Sequence, residues 1–225
     1  MRQSVIIPVL NGALHIHQAL ESALSQVASD DEVVVIDNGS SDETCALVSA
    51  IGDPRVRLIT ESRKGPAAAR NAGLAVATGE LISFLDHDDY WTPGRDAGLR
   101  AALAADPTAD AAYGRLRVVV EPGCDDQGFA RVDGTFAPAV GLHAYLFRRG
   151  IIDRAGPMDE TLRLGSDADF IFRLRQVGMR AVPYEGDAAV YRRHAGNITL
   201  DVAAKRAGLF GVIGRNLLRQ RRERD

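Results

Sequence analysis

The sequence predicts an α/β fold, a mostly parallel central sheet flanked by helices, and three observations lead there. Short β-branched runs alternate with helix-period segments through the first half of the chain. Several of those runs are continuously apolar, as expected of strands buried on both faces. They end in Asn and Asp, and open α/β sheets hold their ligands just beyond the carboxyl ends of the strands.

The elements follow in order. SVIIPVL (4–10) reads as a strand ended by Asn11-Gly12, and Ile16, Leu20, Leu24 and Val27 then recur at helical spacing. DEVVVID (31–37) is a second strand. Ser40-x-x-Glu43 has the form of a capping box opening a helix with Leu47, Val48 and Ile51 on one side. RVRLIT (55–60) is a third strand, GPAAARNAGLAVAT (65–78) a helix and ELISFLD (80–86) a fourth strand. A helix is expected after Pro93 and a strand at RLRVVV (115–120). Residues 121–141, rich in Gly, Pro and Asp, have no period and read as a functional loop or a disordered one. AYLFRRGIID and DADFIFRLRQVG look helical, and AAVYRR (188–193) looks like a strand.

Composition narrows the function. At 225 residues, 46% hydrophobic and 25% charged, the chain is an ordinary soluble domain in its proportions. A net charge of −3 gives no reason to expect a nucleic-acid partner. Cys45 and Cys124 are too few for a disulfide framework and favour a reducing compartment. The apolar run before Pro8 and Asn11 is too short for a signal peptide, and no 18-residue apolar run is present. The expected location is cytoplasmic. From Arg215 to Asp225 five arginines stand against Glu223 and Asp225, so this tail is either a solvated helix with a basic end or a contact for anionic headgroups at the inner membrane face.

The chemistry lies at the strand ends: Asn11 after the first strand, Asp37-Asn38 after the second, and Asp86-His87-Asp88 after the fourth. Neither GxGxxG nor GxxxxGK[ST] is present, which argues against a dinucleotide fold or a P-loop kinase. Carboxylates two apart in an extended segment share a side, so Asp86 and Asp88 are expected to face one divalent cation, Mg²⁺ or Mn²⁺. Asp89 reads either as another acid of the site or as a cap for the next turn.

VIIPVLNG, VVVIDNGSSDET, RNAGLAVATGELISFLDHDD and GSDADFIFRL, in that order, resemble a family-2 glycosyltransferase of the GT-A fold over roughly residues 4–196. The resemblance implies inverting transfer of a sugar from a nucleotide-sugar donor to an acceptor hydroxyl, in polysaccharide or lipid-linked glycan assembly. It further implies that Pro8, Val9 and Asn11 contact the nucleotide and that Asp37 and Asn38 receive the base. Asn38 stands where many members have Asp. Asp86 and Asp88, with His87 between them, look like the D-x-D acids that handle ribose and the metal on the diphosphate. Asp167, in GSDADF, aligns with the catalytic base, although Ser166 stands where members often have Glu. Asp169 is the rival position and reads better as a helix N-terminal acid.

Arg70 either pairs with the diphosphate or is an exposed helix arginine. His194 aligns with a histidine near the metal, the alternative being a packing role. His15 and His17, two apart on a helix, face different ways. Trp91 stacks on an acceptor sugar or packs in the core. The predicted organisation is a transferase domain over 1–197, with a nucleotide-sugar half (1–92) and an acceptor half (93–197), followed by the basic tail 198–225. The partners are a nucleotide-sugar donor and a carbohydrate or lipid-linked acceptor. The rivals are a nucleotidyltransferase, expected to carry a basic Gly-rich first loop, and a non-catalytic nucleotide-sugar-binding protein.

Overall fold

In the computed structural model, residues 1–124, 135–136, 141–197, 211–212 and 214–215 are described. The first half is a βα repeat: β1 (Gln3–Val9), α1 (Ile16–Leu24), β2 (Glu32–Asp37), α2 (Thr44–Ala50), β3 (Val56–Thr60), α3 (Pro66–Val76) and β4 (Leu81–Phe84). These strands pair in parallel in the order β3-β2-β1-β4. Every residue of β1, β2 and β4 is buried, as their unbroken apolar runs predicted. α3 lies close on the sheet because its inner face is Ala67, Ala68, Ala69 and Gly73. A Cβ on Gly73 would stand 2.6 Å from Ile6 Cγ2, so only glycine permits this approach.

The second half continues with β5 (Tyr90–Trp91), α4 (Arg95–Ala105), β6 (Ala111–Val120), β7 (Thr135–Phe136), β8 (Tyr145–Arg148), α5 (Arg149–Ala155), α6 (Ser166–Gln176) and β9 (Ala181–Arg193). The sheet runs on as β4-β8-β6-β9-β5, with β7 on β6. β8 is antiparallel to both β4 and β6, and β9 is parallel to β6. The sheet is therefore parallel in its first half and mixed in its second. Its larger core lies between β1–β4 and α1, α3 and α6. A smaller one, with Leu99, Leu103 and Leu146, lies under α4.

Two expectations change here, and one alternative is decided. The helix-like reading of AYLFRRGIID is corrected: 145–148 is a strand and only 149–155 a helix. Tyr145 and Phe147 enter one core while Leu146 enters the other, so the run is apolar throughout and its period is hidden. The Ser40–Glu43 capping box does not form. Ser40 Oγ instead accepts the Asn11 amide at 2.9 Å, and Asp42 Oδ1 takes the Thr44 amide. Trp91 packs in the core under the guanidinium of Arg95, whose Cζ lies 3.8 Å from the ring centroid. Most of the 121–141 loop and of the 198–225 tail lies outside the described residues.

At the strand-start edge, buried Glu32 ties the parallel sheet together. Its Oε1 accepts the Ser4 hydroxyl and both the amide and hydroxyl of Thr78, each at 2.7 Å, and its Oε2 accepts Arg57 at 3.0 Å. Burial alone would raise its pKa. The bonds from Thr78, Ser4 and Arg57 outweigh that and lower it from 4.5 to about 2. Because the folded value is depressed, this stabilisation is present above pH 4.5 and is lost as pH falls toward about 2. Glu32→Gln is therefore expected to lower unfolding free energy at pH 7 by about 2 kcal/mol. It should also flatten the stability curve in that acid window, as measured by denaturant titration at stepped pH.

Candidate active site

The carboxyl ends of β1, β2 and β4 converge, and the loops that leave them set the site. Asn11 adopts φ 51°, a left-handed conformation that asparagine tolerates. Its Oδ1 accepts the Ser41 amide at 2.8 Å, which ties the loop after β1 to the loop after β2. The Asn38 amide is fully engaged: it donates to the carbonyls of Glu61 and Arg63 at 2.9 and 2.7 Å and accepts the Gly65 amide at 2.8 Å. Asp37, buried at the end of β2, accepts the amides of Ser40 and Gly39. Burial pushes its pKa up, but hydrogen bonds from Ser40 and Gly39 outweigh this and leave it lowered. Pro8 and Val9 are buried in β1, and the His87 ring lies against Gly12, where a Cβ would meet His87 Cδ2 at 2.5 Å.

Residues 86–89 do not continue β4. The Asp89 amide donates to the Asp86 carbonyl at 3.1 Å, so the backbone turns and the period-two expectation for Asp86 and Asp88 fails. The two acids meet different partners. Asp86 faces Arg70, whose Nη2 donates to its Oδ1 at 2.5 Å, and His143, whose Nδ1 lies 4.0 Å from its Oδ2. Asp88 faces β9 and the turn after it: its Oδ2 accepts His194 Nε2 at 3.1 Å and Asn197 Nδ2 at 3.2 Å. The Gly196 amide donates to His194 Nδ1, so in the neutral ring Nε2 carries the proton and points it at Asp88. The His194 ring also packs on His15, centroid to centroid at 4.8 Å, while His17 is exposed beside Glu21.

Arg70 is the centre of the arrangement. It is not an exposed helix arginine: only 4% of its side chain is accessible. Its Nη1 donates to Asp167 Oδ1 at 2.7 Å while its Nη2 holds Asp86. Burial would lower its pKa, but Asp167 and Asp86 outweigh that and raise it, so the guanidinium stays charged. Asp167 lies in the first turn of α6. Its pKa is raised, chiefly by burial, with Arg70 opposing and Asp86 adding to the rise. Asp169, in the same turn, is fully buried and accepts Arg173 Nε at 3.0 Å. The pKa of Asp86 is lowered because Arg70 overcomes the cost of burial.

Two residues of this neighbourhood escaped the sequence reading, or half escaped it. Asp89 is buried, its Oδ1 accepts the Arg192 amide at 2.8 Å, and among the described residues its Oδ2 makes no hydrogen bond. Burial, with Asp88 and Asp86 adding to it, pushes its pKa well above the usual range. His143 lies just after the aperiodic loop, buried and stacked on Tyr191, with Nδ1 3.7 Å from Asp89 Oδ2. Burial lowers its pKa, so it is neutral at pH 7. No motif marked it; a lone histidine beside an aperiodic segment gives no signal. One ligand atom each from Asp86, Asp89 and His143 lie within 4.8 Å of one another, while Asp88 is hydrogen-bonded to His194 on the other side. Carboxylate oxygens with an imidazole are a donor set that suits Mg²⁺ or Mn²⁺.

Among the described residues no helix is long and apolar enough to cross a membrane. The family model for glycosyl transferase family 2 matches residues 4–128. The chain is 34% identical over 216 residues to the succinoglycan biosynthesis protein ExoO of Rhizobium meliloti (strain 1021), covering 86% of this chain and 61% of that protein. It is 42% identical over 89 residues to an Escherichia coli protein named UDP-Glc:alpha-D-GlcNAc-diphosphoundecaprenol beta-1,3-glucosyltransferase WfaP, covering 39% of this chain and 36% of that one. Among solved structures it superposes on the mannosyltransferase PcManGT from Pyrobaculum calidifontis, in complex with GDP-Man and Mn²⁺, with a TM-score of 0.74 at 23% identity over 96% of this chain and 64% of the other. The S. aureus TarS 1–349 complex with UDP-GlcNAc gives 0.73 at 20% identity, over 90% and 61%. These likenesses establish the GT-A-like fold and leave the nucleotidyltransferase alternative without support. With more than half of its residues matched by the family model, the chain belongs to glycosyl transferase family 2.

Proposed function

We propose that this chain transfers a sugar from a nucleoside-diphosphate sugar to an acceptor hydroxyl with inversion, in the assembly of a polysaccharide or lipid-linked glycan. The observation that carries the reading is Arg70, a buried guanidinium that joins Asp86 of the donor half (1–92) to Asp167 of the acceptor half (93–197) at the strand ends. Support for the substrate class comes from the structural neighbours, solved in complex with UDP-GlcNAc and GDP-Man, and from the relative named for a diphosphoundecaprenol sugar acceptor. The chain spans 61% of the first of these relatives, so a longer protein's acceptor choice need not reside here.

In this reading Pro8, Val9, Asn11, Asp37, Asn38 and His87 shape the nucleotide side, and Asp86 and Asp88 the ribose and diphosphate side. Asp167 takes the proton of the acceptor hydroxyl as its oxygen bonds to the anomeric carbon. The bond from that carbon to the diphosphate breaks, and the nucleoside diphosphate leaves with the electron pair. Arg70 and Ser166 both reach Asp167 Oδ1, which leaves Oδ2 for the acceptor. Asp88, oriented by the Nε2–H of His194, would hold a bound Mn²⁺ or Mg²⁺ while Asp86 stays on Arg70, and the ion would supply charge neutralisation for the departing diphosphate. The 198–225 tail, with its basic end, would lie on anionic headgroups at the inner membrane face.

Product analysis on a panel of nucleotide sugars tests the reading: free nucleoside diphosphate is expected, and pyrophosphate or no turnover would refute it. Asp167→Asn should cut turnover by about 10³-fold while UDP or GDP affinity is retained. Asp88→Ala should weaken Mn²⁺-dependent UDP binding by about tenfold or more, equal to about 1.4 kcal/mol in a calorimetric titration. Since a base works only when deprotonated and the Asp167 pKa is raised, activity should fall away as pH drops through a value above 3.8. An acid limb at or below the ordinary carboxylate value would count against Asp167.

A further inference from the structure

The residue next to Arg70 also reaches across the molecule. Asn71 Nδ2 donates to the Met158 carbonyl at 2.9 Å, and its Oδ1 accepts the Met158 amide at 2.8 Å, so one side chain satisfies both backbone groups of one residue. The same Nδ2 donates to Glu160 Oε1 at 2.9 Å. Glu160 is held in turn by Arg63 Nη1, at 2.8 and 3.1 Å, and Arg63 belongs to the segment whose carbonyls accept the Asn38 amide. On its far side the segment is tied by Arg215, which pairs with Asp159 and donates to Thr161 Oγ1 at 2.7 Å.

Met158 and Glu160 lie in the connection from α5 to α6. Both ends of that connection are glycines in left-handed conformation, Gly156 at φ 72° and Gly165 at φ 86°, and Asp167 follows the second by two residues. A connection jointed at both ends needs fixing in its middle if the helix terminus beyond it is to be placed reproducibly. The Arg63–Glu160 pair is half-exposed and contributes little by itself. The two bonds between Asn71 and Met158 mimic a strand-like backbone pairing and fix the backbone beside the buried Met158 side chain.

We infer that Asn71, backed by Glu160, is a positioning residue for Asp167: it pins the 156–165 connection to α3, so that consecutive residues of one helix turn set the base (through Arg70) and the segment that delivers it (through Met158). The inference rests on the function proposed above. It adds a route from the nucleotide end, by Asn38, Arg63 and Glu160, to the acceptor half.

The test compares wild type with Asn71→Ala and Asn71→Asp on whichever of UDP-glucose and GDP-mannose the wild type hydrolyses with Mn²⁺. The expected result is a fall in kcat per folded molecule of about 30-fold, while donor KM and UDP or GDP affinity stay within about twofold, because misplacement of a catalytic group costs rate rather than ground-state binding. Asn71→Asp sets a carboxylate against the Met158 carbonyl and Glu160; adding Glu160→Gln supplies a donor and should recover part of the loss. An unchanged kcat, or nucleotide affinity lost as steeply as kcat, would overturn the assignment. If the wild type turns over neither donor, hydrogen exchange decides the clamp on its own. Faster exchange of amides 158–168 in Asn71→Ala, with β1 and β2 unchanged, supports it; equal exchange sinks it.

Discussion

A single guanidinium, that of Arg70, organises the acidic crevice. Carboxylates gathered at the ends of parallel strands repel one another, and burial raises the cost of keeping each of them charged. Arg70 resolves this for two of them by lying between Asp86 and Asp167 with a donor on each. Taking away Arg70 would leave two carboxylates without their cation and cost several kcal/mol, whereas loss of either acid leaves a balanced pair. α3 can bring its arginine to that point because its inner face is alanine and glycine, which lets the helix lie close on β1 and β2.

The acids divide by environment. Asp86 has its charged form stabilised by Arg70, whereas Asp89, deeper and among the described residues without a cationic partner at hydrogen-bond distance, is pushed toward its neutral form. Asp167 is pulled both ways, and burial prevails. Neighbouring carboxyl groups with diverging proton affinities are what acid–base and metal chemistry require of one cluster. Asp88 is set apart from the others by its contacts with His194 and Asn197, so its orientation is governed by the end of β9 and the turn beyond it.

The parallel half of this fold was legible because each strand is a separate apolar run closed by a polar residue, and β1 to β4 fall where those runs lie. The same property hid β8: a strand buried on both faces and followed at once by a helix leaves no polar break to mark it. The strand-end acids could be found by position alone. Their directions could not, because a turn at 86–89 depends on one backbone bond that no period records. Asn38 illustrates a further limit. Its place at the end of β2 was evident, but its amide is engaged by a loop more than twenty residues away, and long-range pairing of that kind leaves no local pattern. His143 reaches the acids only because β8 inserts antiparallel beside β4.

Glu32 and the Arg70 cluster occupy opposite edges of the same parallel sheet. Each gathers hydrogen bonds from several elements around a buried charge, yet among the described residues they share no hydrogen-bonding partner. Changes at well-separated sites without common partners add rather than couple. The strand-start edge is thus a region where such a chain can drift in sequence, gaining or losing robustness, while the geometry at the other edge is inherited unaltered. It also offers a place to reinforce the domain for study without disturbing the crevice.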